Sequence, residues 1–191
     1  MAKFLFILLY IAAILSLFCG LWTIIPVFYG STWIATKKDR IRAALKMIDL
    51  QSNELLYDLG AGDGRVLFIA EEEFGARAVG IEGSFLQAML IRARIFFGGK
   101  QAQIQVRCEN FYQSNLSDAD VVFIYLRSNQ SISVQKKLEK GLKAGTRVIA
   151  LSADFPDWKP NKFDDKHLLF SYLMPPEKGG LAAYFAEQEG F

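Results

Sequence analysis

The sequence has one histidine and two cysteines in 191 residues, which leaves little with which to hold a metal. Cys19 and Cys108 stand far apart, and no C-x-x-C spacing exists, so neither a zinc site nor a thiol redox pair is expected. Unpaired cysteines suit a reducing compartment. A strong charge bias is also missing. Lys and Arg number 22 against 20 Asp and Glu, a formal net charge of +2, so nothing demands a nucleic-acid partner. Internal repeats and low-complexity tracts are absent as well. The most informative absence is local: from Phe4 to Ile25 there is no charged side chain.

That run would form roughly 33 Å of helix, against a bilayer hydrocarbon core of about 30 Å. It is longer than the apolar region of a cleaved signal peptide, and no A-x-A-like site follows it. Leu17 and Phe18 precede Cys19 where a lipoprotein signal needs small residues. A buried core helix of this length would need a larger protein around it. Residues 1–25 are therefore expected to be an uncleaved transmembrane anchor, with residues 4–25 in the lipid bilayer. Only Lys3 and the amino terminus precede the span, whereas Lys37, Lys38, Arg40 and Arg42 follow it. The positive-inside rule then puts a single-pass protein's C-terminal domain on the cytoplasmic side. Trp22, Phe28, Tyr29 and Trp33 cluster at that end, as an interfacial aromatic belt or as packing against the domain.

Pro26 and Gly30 mark residues 26–36 as a linker. The remainder, residues 37–191, is long enough for one α/β domain and too short for two. Thr36 is the expected N-cap of an amphipathic helix over 37–49, with Asp39 completing a variant capping box. Beyond it, short apolar runs alternate with helical spacing. Strands are expected at Leu55–Leu59, Ala78–Ile81, Gln103–Arg107, Ala119–Leu126 and Arg147–Leu151. Helices are expected at Arg65–Phe74, from Ser84 to Phe97, and at Ser131–Leu142. His167–Met174 and Leu181–Phe185 flank Pro-Pro-Glu-Lys-Gly-Gly and are expected to pair as a hairpin. The fold class is α/β: a doubly wound, mostly parallel seven-stranded sheet closed by a C-terminal antiparallel hairpin and preceded by one transmembrane helix.

Chemistry concentrates in Tyr57-Asp58-Leu59-Gly60-Ala61-Gly62-Asp63-Gly64-Arg65. A strand ends in an acid, enters a turn with glycines at alternate positions, and a helix follows. Such glycines let a bulky ligand approach the backbone. Glu82, at the end of the next strand, is placed to accept hydrogen bonds from ribose hydroxyls. The Gly-Lys-Ser/Thr ending of a phosphate loop is missing, and the spacing is G-x-G-x-G rather than the dinucleotide G-x-G-x-x-G. Asp58 would repel a pyrophosphate but suits the cationic amino-acid end of S-adenosylmethionine. Among the remaining polar residues, Glu71-Glu72-Glu73 reads as a solvated helix face, Asp164-Asp165 as a loop, and His167 as a strand start.

The stretch Asp58-Leu59-Gly60-Ala61-Gly62-Asp63-Gly64-Arg65 resembles the first motif of class I, seven-β-strand methyltransferases, and the βαβ series matches that fold over residues 37–191. More narrowly, the chain is similar to the membrane-anchored lysine methyltransferases related to the ATP synthase c-subunit and adenine nucleotide translocase lysine methyltransferases. That likeness rests on the N-terminal apolar run, Pro26-Val27-Phe28-Tyr29-Gly30-Ser31-Thr32, the glycine motif, and Phe155-Pro156-Asp157-Trp158-Lys159-Pro160. The resemblance implies S-adenosyl-L-methionine as cofactor. It implies Asp58, Gly60, Ala61, Gly62 and Gly64 around the methionine end, Glu82 on the ribose, and Asn110 and Phe111 beside adenine. Tyr125 falls where the class faces its substrate, although Tyr125-Leu126-Arg127 matches neither the Asn/Asp-Pro-Pro-Tyr form nor the eukaryotic pattern.

A lysine acceptor must be neutral to attack, which an apolar aromatic channel favours. Tyr125, Phe155 and Trp158 are the candidates for lining it, and each fits plain packing too. No residue is required as a base. The expected function is methylation of lysine in a membrane or membrane-proximal protein. The alternatives are methylation of a lipid-soluble quinone or phospholipid precursor, and a non-catalytic module that keeps the cofactor fold. Metal and nucleic acid are not expected partners.

Overall fold

In the computed structural model, residues 2–28 and 36–189 are described, except for the side chains of Ala2, Cys19 and residues 21–28. Most of the expected linker, and the whole aromatic belt of Trp22, Phe28, Tyr29 and Trp33, lie outside the described residues. The chain divides into two compact units, Met1–Ala35 and Thr36–Phe191. In the first, α1 (Ala2–Phe28) is one helix of 27 residues, with no acid in its first turn and no base in its last. Its apolar side chains from Phe4 to Phe18 are exposed. Among the described residues no helix is long and apolar enough to cross a membrane.

The second unit is a seven-stranded sheet flanked by helices. Its elements are α2 (Lys38–Met47), β1 (Leu55–Leu59), α3 (Arg65–Phe74), β2 (Arg77–Glu82), α4 (Phe85–Phe97), β3 (Ile104–Cys108), β4 (Val121–Tyr125), α5 (Ser131–Gly141), β5 (Arg147–Leu151), β6 (Lys162–Asp164), β7 (Leu169–Leu173) and α6 (Gly180–Gln188). The strand order is β3-β2-β1-β4-β5-β7-β6. Strands β1 to β5 run parallel, and β7 is antiparallel to both β5 and β6. The order reverses at β1 and β4, so their carboxyl ends open the crevice where ligands bind in such sheets.

Each central strand is apolar on both faces because helices cover both. From β4 and β5, Val122, Ile124, Val148 and Ala150 point into a core with Val134 and Leu138 of α5. The alternate residues Val121, Phe123, Ile149 and Leu151 join Ile41, Leu45, Val66 and Ile69 from α2 and α3. Full burial of one such side chain stabilises the fold by about 1.5–3 kcal/mol. The helices stop where the sequence indicates. Gly75 takes a left-handed φ of 68° after α3, and the Ser84 hydroxyl accepts from Gln87 N before α4, at a long 3.5 Å.

Two expectations are corrected. Leu181–Phe185 is not a strand but lies inside α6. That segment is rich in alanine (Ala182, Ala183, Ala186) and has no β-branched residue, so helix propensity wins. The terminal hairpin exists, but β6 supplies β7's partner, through Lys162↔Ser171 and Asp164↔Leu169. Thr36 is not the cap of α2: Lys37 holds that position without a side-chain cap, and Asp39 pairs with Arg42 at 3.1 Å instead.

Candidate active site

Asp58 and Glu82 end adjacent strands, in a register that pairs Asp58 with Gly80 and Leu59 with Ile81. Between them the loop folds back on β2, with Gly60 N and Ala61 N both donating to Ile81 O at 2.9 and 3.0 Å. Gly60, Gly62 and Gly64 have φ of 90°, 59° and 77°, a region that strains any residue with a Cβ. Gly80 serves the same approach from the other side. A Cβ there would sit 2.7 Å from Leu67 Cδ1 and 2.9 Å from Ala61 Cβ.

Glu82 is 8% exposed. Its Oε2 accepts from Gly62 N and its Oε1 from Ser84 N, both at 2.8 Å. It thereby pins the glycine loop to the start of α4. A carboxylate has about four lone-pair sites, so each oxygen keeps one for a ribose hydroxyl.

The two aspartates of the motif are driven in opposite directions. Asp58 is 3% exposed. Burial first, then the charges of Glu82 and Asp63, push its carboxyl up to about 8. No donor among the described residues compensates it. Burial would raise Asp63 too, but the Arg65 side chain and backbone outweigh it and hold that carboxyl low. Arg65 Nη2 lies 2.6 Å from Asp63 Oδ2 and Nε lies 2.9 Å from Oδ1. Arg65 Nη1 also reaches Thr36 O at 2.7 Å. Arg94 donates to Asp63 O at 2.5 Å from a position over the Phe68 ring. Asp63 therefore braces the loop, and Asp58 is left as a buried acid awaiting a cation. The glycine cradle, that acid and the half-used Glu82 carboxylate together fit S-adenosylmethionine: ammonium toward Asp58, ribose on Glu82.

Asn110 and Phe111 follow β3, which runs beside β2. Asn110 is exposed, and its Oδ1 is turned back to accept from Tyr112 N at 3.0 Å. Phe111 is half-buried against the core, its ring 4.3 Å from that of Tyr112. The adenine side is thus present in backbone, with the Asn110 acceptor already partly engaged.

Tyr125 ends β4, half-buried, at the same edge of the sheet as Asp58. The channel expected from Phe155 and Trp158 is corrected. Both are fully buried in the core, with ring centroids 5.2 and 5.5 Å from that of Tyr172. Trp158 Nε1 donates to Glu139 Oε1 at 2.9 Å and Phe155 N to the Tyr172 hydroxyl at 3.1 Å. With every polar atom satisfied and no surface turned outward, they form an aromatic plug. Beside Trp158 lies a cleft of about 840 Å³ lined by Gln135, Pro156, Pro175 and Lys178. It sits toward the amino ends of the parallel strands, since Met174 O accepts from Gly145 N just before β5, and so it is not the cofactor crevice.

Arg40, on α2, was missed by the motif reading. Its guanidinium is 5.7 Å from the centroid of the Tyr125 ring. It also donates to Ser152 Oγ at 2.9 Å, His167 O at 2.6 Å and Leu168 O at 3.2 Å. It ties α2 to the carboxyl ends of β4 and β5. Its partners lie more than a hundred residues away in sequence, so no local pattern signals it.

Residues 58–162, just over half of the chain, match the ANTKMT methyltransferase domain. The chain belongs to this methyltransferase family. A protein-lysine N-methyltransferase from Saccharolobus islandicus (strain REY15A) is 29% identical, over 76% of this chain and 95% of that protein. The human ATP synthase c-subunit lysine N-methyltransferase is 30% identical over 66% of this chain, which spans only 53% of that protein. Among solved structures, a Salinibacter ruber RNA methyltransferase in complex with S-adenosyl-L-homocysteine superposes with a TM-score of 0.72 at 27% identity. It covers 78% of this chain and 97% of that one. As a member of the ANTKMT family this chain is an S-adenosylmethionine-dependent methyltransferase with a Rossmann-like fold.

Proposed function

We propose that the enzyme methylates a lysine ε-amine on a membrane or membrane-proximal protein. The observation that carries this reading is the likeness to a protein-lysine N-methyltransferase along 95% of that protein's length. The human relative, named for lysine methylation of the ATP synthase c-subunit, supports the membrane setting. Residues 1–25 would anchor the chain, residues 26–36 would link it, and residues 37–191 would form the catalytic domain on the cytoplasmic side. The uncharged run from Phe4 to Ile25 and the single helix Ala2–Phe28 support the anchor. A linker of 11 residues reaches at most roughly 40 Å. That confines the site to a thin layer by the bilayer and raises the effective concentration of substrates there.

The cofactor brings an electrophilic methyl group on a sulfonium, and the protein's task is alignment and exclusion of water. In this reading Asp58 receives the ammonium, Glu82 the ribose, and Gly60, Ala61, Gly62 and Gly64 let the ligand reach the backbone. Asn110 and Phe111 flank adenine. Tyr125 positions the acceptor, held by Arg40. A neutral lysine is favoured by an apolar, aromatic approach, for which Tyr125 is the side chain at the right edge of the sheet.

Incubating the full chain with methyl-labelled cofactor and membranes from cells that lack it decides the acceptor. Label on lysine in a protein band is expected. Label in the lipid or quinone fraction, or in RNA, would overturn the lysine reading.

A further inference from the structure

Helix α4 is built inside out on its solvent side. Ala88, Ile91 and Ile95 pack inward. At about 100° per residue, the opposite face carries Phe85, Met89, Ala93, Phe96, Phe97 and Leu90 rather than polar side chains. Phe96 is 67% exposed, Phe97 85%, Leu90 59% and Met89 47%. Arg92 and Arg94 fall on the two margins of this face. From Gly83 to Cys108 the sequence contains Arg92, Arg94, Lys100 and Arg107 and no acid. A surface helix of a soluble domain normally places its polar residues here. An outward apolar face bordered by arginines is instead the pattern of a helix lying in a membrane interface.

We propose that the outward face of α4 docks on the lipid bilayer, with Phe96, Phe97, Leu90 and Met89 entering the headgroup boundary and Arg92 and Arg94 meeting lipid phosphates. The arginines have hydrogen bonds to spare. Arg92 Nη2 donates to Val106 O at 3.3 Å and Arg94 Nη1 to Asp63 O, each using one of a guanidinium's five donors. Lys100 adds less, because it pairs with Glu71 at 2.6 Å. Charge complementarity selects an anionic bilayer over a second copy of this chain, whose own α4 would bring the same positive margins. The consequence for function is orientation. Ser84, which caps α4, is bonded to Glu82, so docking this face sets the ribose end of the cofactor site close to the membrane surface. The proposal rests on α4's own side chains and requires no span in α1, which would only supply proximity.

The test uses the full chain on vesicles of phosphatidylcholine and phosphatidylserine with brominated acyl chains. A tryptophan is added at Phe97→Trp, and in a control at Leu173→Trp. Leu173 is also exposed but lies on β7, toward the other end of the sheet. After subtraction of the parent's emission, the Phe97→Trp signal should be quenched at least about twofold and the Leu173→Trp signal little. Arg92→Glu in the Phe97→Trp background should weaken quenching, more so at low salt. Equal quenching at both positions, or none at Phe97→Trp, overturns the proposal. So does a Phe97→Trp signal that tracks protein density instead of lipid, which would identify a second copy as the occupant. Flotation of the parent with vesicles at high salt reads the α1 anchor separately, so failure of one does not mimic failure of the other.

Discussion

Two halves of one crevice are built in different ways. At the carboxyl ends of β1 and β2 the site is made by contiguous chain: Asp58 to Gly64 fold into a cradle, and Glu82 closes it by binding Gly62 N and Ser84 N. At the ends of β4 and β5 no such motif exists. Tyr125 is held by Arg40, which reaches Ser152 and the backbone of residues 167 and 168 from the first helix of the domain. The cofactor half needs fixed backbone geometry, which only particular residues at particular spacing can provide. The acceptor half needs only an aligned approach, which side chains from distant elements supply and which can vary with the substrate.

That contrast can be broken or sharpened at several points. The largest expected effect is at Trp158. If it is a plug, Trp158→Ala should cost about 3–5 kcal/mol of stability, read as a lower urea midpoint. A stable variant that loses only turnover would restore it to a substrate channel. Next comes Gly80→Ala, whose Cβ must displace Leu67 and Ala61. Overpacking of this kind costs about 1–3 kcal/mol, and cofactor affinity should fall with the melting temperature. Arg40→Ala should be milder, about 1 kcal/mol for partly exposed bonds. It should lower kcat while leaving cofactor Kd unchanged, which separates the two halves. A matching loss of cofactor affinity would merge them.

The smallest effect is the pH dependence of Asp58. Its carboxyl is raised from 3.8 to about 8 in the folded chain, so the folded state holds a proton that the unfolded state releases. Unliganded stability should therefore fall as pH rises from 3.8 toward about 8, because the unfolded state binds fewer protons there. The ammonium of the cofactor prefers the ionised acid, so affinity should rise over about pH 7 to 8.5, by at most tenfold per unit. Asp58→Asn should flatten that slope in calorimetric titrations.

The same contrast explains what was legible. The glycine motif, Glu82, five parallel strands and three of the helices were readable because each follows from local spacing and caps. The seventh-strand assignment failed because Leu181–Phe185 is apolar and short, and periodicity alone does not separate a strand from a helix. Its true counterpart, Lys162–Asp164, is three residues with one apolar side chain, too little to signal a strand. Trp158 was recognisable as a likeness to a family motif, yet its burial depends on Tyr172 and Glu139, which nothing nearby in sequence announces. Arg40 was counted only as one of the cations that follow the apolar run. Its partners are 112 to 128 residues away, and only the assembled sheet brings them together.

The central claim is that Asp58 and Glu82 hold S-adenosylmethionine at the β1–β2 edge, and calorimetric titration of Glu82→Ala in the full chain tests it most directly. With each lost charged hydrogen bond worth about 1.5–3 kcal/mol, affinity for the cofactor should drop at least about tenfold while circular dichroism still shows a folded domain. A folded Glu82→Ala protein that binds S-adenosylmethionine as tightly as the parent would contradict the account.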